Sequence, residues 1–240
     1  MLHDNLNLSN SQIGFSLGCF WQKSKPNEIL KFLQEKGIKI VELKKITPID
    51  QVEDDLAMYR KEDLEGFSFL SYHAPVLPYG KNKETEKFFS EIMLLHKLRP
   101  LDLLIVHPDS IQDSSIFNDL PFPIGFENMD KNKKSHRTVA EMEKLLAQNS
   151  SWKLVLDVNH CFVNDPSMQL AHDFYSTLGD RIAEIHLSGF AKLHDPLFET
   201  KQELIIKSIR DKNIPIIIES QMDLSQLLQE RNYVLEVLKN

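Results

Sequence analysis

Two stretches, Lys153-Leu154-Val155-Leu156-Asp157-Val158-Asn159-His160 and Ile182-Ala183-Glu184-Ile185-His186, decide how this chain is read. Each is a short apolar run rich in β-branched residues that closes on side chains able to titrate or to ligate, and their starts lie 29 residues apart. A strand, its crossover helix and the next parallel strand need about 30 residues. Further out, similar runs occur at Ile13–Leu17, Ile38–Leu43, Phe67–Tyr72, Leu103–Val106, Ile124–Phe126 and Ile214–Ile218, which makes eight in all. Helical periodicity fills the intervals at Pro26–Lys36, Lys83–Leu98, Thr138–Gln148, Met168–Leu178, Thr200–Ile209 and Leu224–Leu238. Pro26 in the first turn and Gly37 just past the end mark the limits of the first of these. The fourth crossover offers only Asp109–Leu120 and is predicted to be short.

Eight strands alternating with helices admit a closed (β/α)₈ barrel or a doubly wound open sheet. A dinucleotide-binding open sheet needs a glycine-rich turn after its first strand, but here Gly14 and Gly18 are four apart with no third glycine at the required offset. The expectation is an α/β fold, a single (β/α)₈ barrel spanning residues 1–240 as one domain. Its pocket then lies at the C-terminal ends of the strands.

The 28 basic and 35 acidic side chains, formally −7 in net charge, exclude a surface covered all round in nucleic-acid-binding charge. Cys19 and Cys161 are too few for a disulfide framework. Met1–Gln12 is polar and lacks the apolar core of a secretory signal, and no uncharged apolar run approaches the roughly 20 residues that span a bilayer. A cytoplasmic protein without membrane attachment is expected. Nothing in the sequence specifies an oligomeric state.

In such a barrel the residue closing each run faces the pocket. Those residues are His73, His107, Glu127, Asp157, His186 and Glu219, on six consecutive strands, with His160 and His194 just beyond two of them. Imidazole and carboxylate ligate zinc, manganese and iron, and a site of two or three ions needs a carboxylate that bridges neighbours. Burying several carboxylates together without a cation is costly. Glu127, midway in the strand order, is placed to bridge.

This series, from about Phe67 to Ser220, resembles the metal ligands of the xylose isomerase-like TIM barrels (AP endonuclease family 2), and most of all the endonuclease IV pattern. The resemblance implies one divalent ion on Glu127, Asp157, His186 and Glu219, as in the sugar isomerases and epimerases. The endonuclease IV pattern adds His73, His107, His160 and His194 and builds a three-zinc cluster. One to three ions per chain are therefore implied, zinc first, with manganese or iron(II) as alternatives. Two departures stand out. Lys192 occupies the position of the third-zinc aspartate, with Asp195 the neighbouring carboxylate available to replace it, and Asn128-Met129-Asp130-Lys131 replaces a glycine-rich stretch.

Nine cations crowd the predicted rim loops: Lys44, Lys45, Lys81, Lys83, Lys131, Lys133, Lys134, Arg137 and Lys192. Such a cluster attracts anions, phosphate above all. Lys131, Lys133, Lys134 and Arg137 are the candidate substrate-binding residues, for a small phosphorylated substrate or a nucleic-acid phosphodiester. Glu127, Glu219 and Lys192 are the catalytic candidates. Three readings follow: metal-activated phosphoester hydrolysis; sugar or sugar-phosphate isomerisation or epimerisation, with Glu127 and Glu219 moving the proton; and a catalytically silent metal-binding barrel. Glu42 either lines the cavity or pairs with Lys44 and Lys45. Tyr72, Phe20, Trp21 and Phe190 are core residues by default or apolar walls of a pocket. Cys161 reads as a small buried apolar residue.

Overall fold

Alternation of apolar side chains on strands one to eight has only one closed solution here, since the first strand finds its second partner in the last. In the computed structural model, which describes residues 12–20, 25–44 and 59–240, the strands pair in parallel and in chain order into a closed barrel. They are β1 (Ile13–Ser16), β2 (Ile40–Lys44), β3 (Phe69–His73), β4 (Leu103–Val106), β5 (Ile124–Glu127), β6 (Lys153–Asp157), β7 (Ile182–Leu187) and β8 (Ile216–Ile218). Gly14 lets β1 approach β2, because a Cβ there would collide with the Ile40 carbonyl oxygen.

The outer faces of the strands, including Val41, Leu70, Tyr72, Leu104, Phe126, Leu156 and Ile218, join the helices in one continuous apolar core. The helices are α1 (Pro26–Glu35), α2 (Lys61–Leu64), α3 (Lys83–Leu98), α4 (Val139–Leu146), α5 (Val158–Asn164), α6 (Gln169–Leu178), α7 (Leu197–Thr200), α8 (Glu203–Lys207) and α9 (Leu227–Lys239). α1 shows how they dock: Ile29, Leu30 and Leu33 share its buried face, and Gly37 at φ +70° ends it. α4 starts one residue later than the sequence suggests because Thr138 is its N-cap, paired with Glu141 in a capping box. Among the described residues no helix is long and apolar enough to cross a membrane.

Three connections differ from expectation. Residues 107–123 carry no α-helix, only 3₁₀ turns at Pro108–Ser110 and Ser114–Phe117, and Phe117 covers Phe126 with ring centroids 5.6 Å apart. The single helix expected over Thr200–Ile209 is replaced by α7 and α8, interrupted at Lys201, which takes a left-handed φ of +56°. Periodicity does not reveal α5, because it follows β6 with no intervening loop. Tyr72 and Phe20 are buried in the outer core and not in the pocket, and Trp21 and Lys45 lie outside the described residues.

Inside the barrel the side chains form layers. Leu103, Ile105 and Val155, with Phe69 and Ala183 against them, plug the lower part. Ser71, Glu42 and Glu184 lie above, set by the registers Glu42↔Ser71 and Val155↔Glu184. The strand-end residues form the top, with Lys44↔His73 and Asp157↔His186 side by side. Buried Glu230 of α9 anchors the last strand end from outside: it accepts hydrogen bonds from Leu197 N (2.9 Å), Phe198 N (2.9 Å) and Ser220 Oγ (2.6 Å), next to Glu219. Glu230→Ala leaves three donors without their acceptor, and a cost of about 3 kcal/mol is expected. That corresponds to a melting-temperature drop of roughly 6–12 °C for a domain of this size, measurable by thermal denaturation.

Candidate metal centre

Backbone alternation turns every second residue of a strand inward, so each run that closes on His, Asp or Glu delivers that side chain to the same rim. The six strand-end residues meet there. Glu127 is at the middle. Its Oε2 lies 3.3 Å from His73 Nε2 and 3.0 Å from His107 Nε2, while its Oε1 lies 3.3 Å from His160 Nδ1 and 3.5 Å from His186 Nδ1. Glu219 Oε2 approaches the same His186 Nδ1 at 3.5 Å, and Lys44 Nζ lies 3.9 Å from Glu219 Oε1. Asp157 caps α5 through its Oδ1, which accepts from His160 N at 2.8 Å, and its Oδ2 has no hydrogen-bond partner.

The electrostatics follow from packing several acids and imidazoles in a space closed to water. Burial pushes Glu127 upward, yet His107 and His186 outweigh it and hold the carboxyl well below its ordinary range. Glu219 is likewise opposed by burial but brought down to about 2 by His186 and Lys44. Asp157 goes the other way, to about 7, because burial dominates and Glu127 and Glu219 add repulsion. Burial works against His186, but Glu219, Glu42 and Glu127 keep its pKa well above the usual imidazole value.

Two sets of strand-end residues offer one ligand atom each within 4.8 Å of one another: His73, His107 and Glu127; and Glu127, Asp157, His186 and Glu219. Two buried atoms of these sets without a hydrogen bond, His186 Nδ1 and Asp157 Oδ2, fit a centre that a cation completes. The donors are nitrogen and oxygen with no sulfur, the chemistry of zinc, manganese and iron(II).

His160 and His194 stand beside these sets, their ring centroids 6.3 Å apart. His160 Nδ1 is within 2.8 Å of the Asn128 carbonyl oxygen and His194 Nδ1 is 2.9 Å from Ser188 Oγ. Asp195, the neighbouring carboxylate, is engaged in its own loop through one oxygen. Its Oδ2 accepts the backbone N–H groups of Ala191 (2.8 Å), Lys192 (2.7 Å) and Leu193 (3.1 Å), so that oxygen closes the loop. The Lys192 side chain is exposed.

The rim cations are dispersed. Lys133 pairs with Asp109 at 3.3 Å and Lys81 with Asp113 at 3.4 Å, and Lys134 is exposed. Lys131 and Arg137 line a separate cavity of about 420 Å³ with Thr138, Asn164, Asp165, Gln169, Leu170 and Asp173. None of the strand-end residues lines it. Phe190 is half-buried, its backbone clasped by the Gln202 amide at 2.7 and 2.8 Å.

Several residues that hold the centre carry little sequence signal. Asn128 bonds both backbone groups of Asp157, at 2.8 and 3.0 Å, and Asn159 Nδ2 reaches the Ser188 and Gly189 carbonyls at 3.2 and 2.7 Å. These amides lock neighbouring strand ends together. Glu184 lies inside a run read as apolar, and its Oε1 accepts from His186 Nε2 at 2.9 Å. A carboxylate on the remote nitrogen fixes the tautomer and turns Nδ1 toward the centre.

The sequence matches no family model and no curated protein. Solved structures do match over nearly the whole chain. A xylose isomerase domain-containing protein from Salmonella typhimurium aligns with TM-score 0.71 and 13% identity, over 98% of this chain and 100% of that one. Endonuclease IV from Thermus thermophilus aligns with TM-score 0.65 and 17% identity, over 95% and 97%. D-psicose 3-epimerase from Clostridium cellulolyticum aligns with TM-score 0.64 and 12% identity, over 95% and 98%. Barrel closure, strand order and these alignments together make the chain a (β/α)₈ TIM barrel whose fold is similar to that of a xylose isomerase domain-containing protein, an endonuclease IV and a D-psicose 3-epimerase.

Proposed function

We propose that this protein is a divalent-metal-dependent phosphoesterase in which two ions share Glu127. The observation that carries the reading is the division of that carboxylate: Oε2 faces His73 and His107, and Oε1 faces His186. Ligands beyond the needs of one ion favour a two-ion centre. Bound there, divalent ions supply Lewis-acid activation of water and charge neutralisation at the ester.

The chain's own residues do the rest. Asp157 and Glu219 complete the second set, Glu184 holds the His186 ring, and Asn128 and Asn159 keep the strand ends in place. Lys192 and Lys134, both exposed, provide positive charge for a small phosphorylated substrate or a nucleic-acid phosphodiester, whereas Lys131 and Arg137 line the separate cavity.

A second reading is isomerisation or epimerisation of a sugar or sugar phosphate on a single ion. It is favoured by the placement of Glu127 and Glu219, both 3.5 Å from His186 Nδ1. It is also supported by sharing a fold with an epimerase solved with D-tagatose.

The deciding experiment is a metal-replete activity panel in deuterated water on the wild type and Glu219→Gln, covering abasic DNA, small phosphodiesters and ketose or aldose phosphates. Ester cleavage without deuterium at substrate carbon, lost in the variant, is the expected outcome. Deuterium entering a sugar carbon replaces hydrolysis by the second reading. Metal binding without turnover on any substrate removes both.

A further inference from the structure

Glu42 is a carboxylate of the centre that the ligand series leaves unused. It is fully buried on β2, two residues before Lys44 and on the same inward face. Its Oε2 comes within 3.1 Å of His186 Nε2. That nitrogen, however, is hydrogen-bonded to Glu184, and both oxygens of Glu42 lack a hydrogen-bond partner. A wholly buried carboxylate is strongly disfavoured unless a cation or a proton neutralises it, and without metal the His186 ring, 3.1 Å away, is the group that faces it.

Its neighbours are ligand-type groups. His73 Nδ1 is 3.1 Å from the Ala74 carbonyl, which leaves Nε2 as the coordinating nitrogen. Glu42, His73, His186 and Glu219 each offer an atom within 4.8 Å of the others, as compact a group as the one containing Asp157.

We propose that Glu42 is a metal ligand and that Glu42, His73, His186 and Glu219 form a further position for a divalent cation, on the β2–β3 side of the centre. This rests on the reading of the rim as a metal centre. His73 has one nitrogen to give, so an ion here competes with one held by His73, His107 and Glu127. The position serves the singly loaded protein. A first ion placed there leaves the 3.3 Å contact of Asp157 Oδ2 with His160 Nδ1 intact, whereas one placed on Asp157 Oδ2 competes with that contact; the Oδ1 cap on His160 N is untouched in either case.

The test is a zinc titration against a chromophoric chelator to one equivalent, with wild type, Glu42→Gln and Asp157→Asn. Glu42→Gln is expected to weaken the first equivalent at least tenfold, and Asp157→Asn less than threefold; the reverse order overturns the proposal. Should Glu42→Gln fail to fold, zinc X-ray absorption on singly loaded His107→Ala decides. Two imidazoles per ion support the Glu42 position, and one imidazole overturns it. Wild type that binds no zinc defeats the metal-centre reading itself. Wild type that binds zinc with an affinity Glu42→Gln leaves unchanged defeats this inference alone.

Discussion

Glu127→Gln is expected to reduce bound metal from about two ions per chain to one or none and to lower phosphoester turnover on the order of 10³-fold, because the several kcal/mol of charge stabilisation a metal pair supplies go with it. Glutamine keeps the volume, so the barrel interior is not opened. It lacks the charge, and it cannot give both oxygens as anionic ligands to two sites. The other carboxylates do not compensate, since only Glu127 reaches the His73–His107 pair and the His186 side at once among the described residues. Metal analysis by mass spectrometry after desalting, together with circular dichroism to confirm folding, checks the expectation. A folded Glu127→Gln protein that retains two ions would show that Glu127 does not bridge.

The stability added by metal is expected to grow steeply between pH 5 and pH 8. In the metal-free protein Asp157 and Glu184 are both raised to about 7 by burial. The folded state then holds protons that the unfolded chain has released above about pH 4, so these two acids reduce stability as pH climbs from about 4 to about 7. His186, raised well above 6.5, contributes stability that is complete below its unfolded value and is lost as pH rises through its folded value. Glu219, lowered to about 2, has the opposite sign, and its contribution is lost only as pH falls from about 4.5 toward 2. His107 and His194, lowered by burial, gain stability with rising pH only below 6.5 and offset part of the trend.

A divalent ion held by Asp157 and His186 would replace their protons, and its affinity is expected to rise as they leave. At a thousandfold excess over Kd the added stability is about 4 kcal/mol, or roughly 8–16 °C in melting temperature for a chain of this length. Thermal denaturation with zinc or manganese against chelator should therefore show a small gap at pH 5 and a large one at pH 8. An equal gap at both would mean that these groups do not hold the metal.

Much of the fold was written in local pattern. Strand runs ending at Tyr72, Phe126 and Leu156 stop one residue short of β3, β5 and β6, since each strand includes the polar residue that closes the run. Their ends could be identified because the chemistry changes abruptly from aliphatic to ionisable. Glu42 and Glu184 were harder. Glu42 alternates with Val41 and Leu43 and could as readily pair with a lysine on the surface, and Glu184 sits among apolar residues with no change of character after it. Which face such an interior residue takes depends on closure of the barrel and on the register shift between Leu154 and Val155.

Periodicity and spacing by themselves determined eight parallel strands and the six ionisable strand ends, because those properties follow from the alternation of side chains and the length of a crossover. Tertiary structure alone decided three further matters. It set Glu42 and Glu184 around His186, used the Asp195 carboxylate to close its loop, and put Lys131 and Arg137 on a cavity apart from the centre. The reason is physical: a side chain's partner across the barrel or within a loop depends on backbone direction and on competing hydrogen-bond donors, and both arise only when distant segments meet.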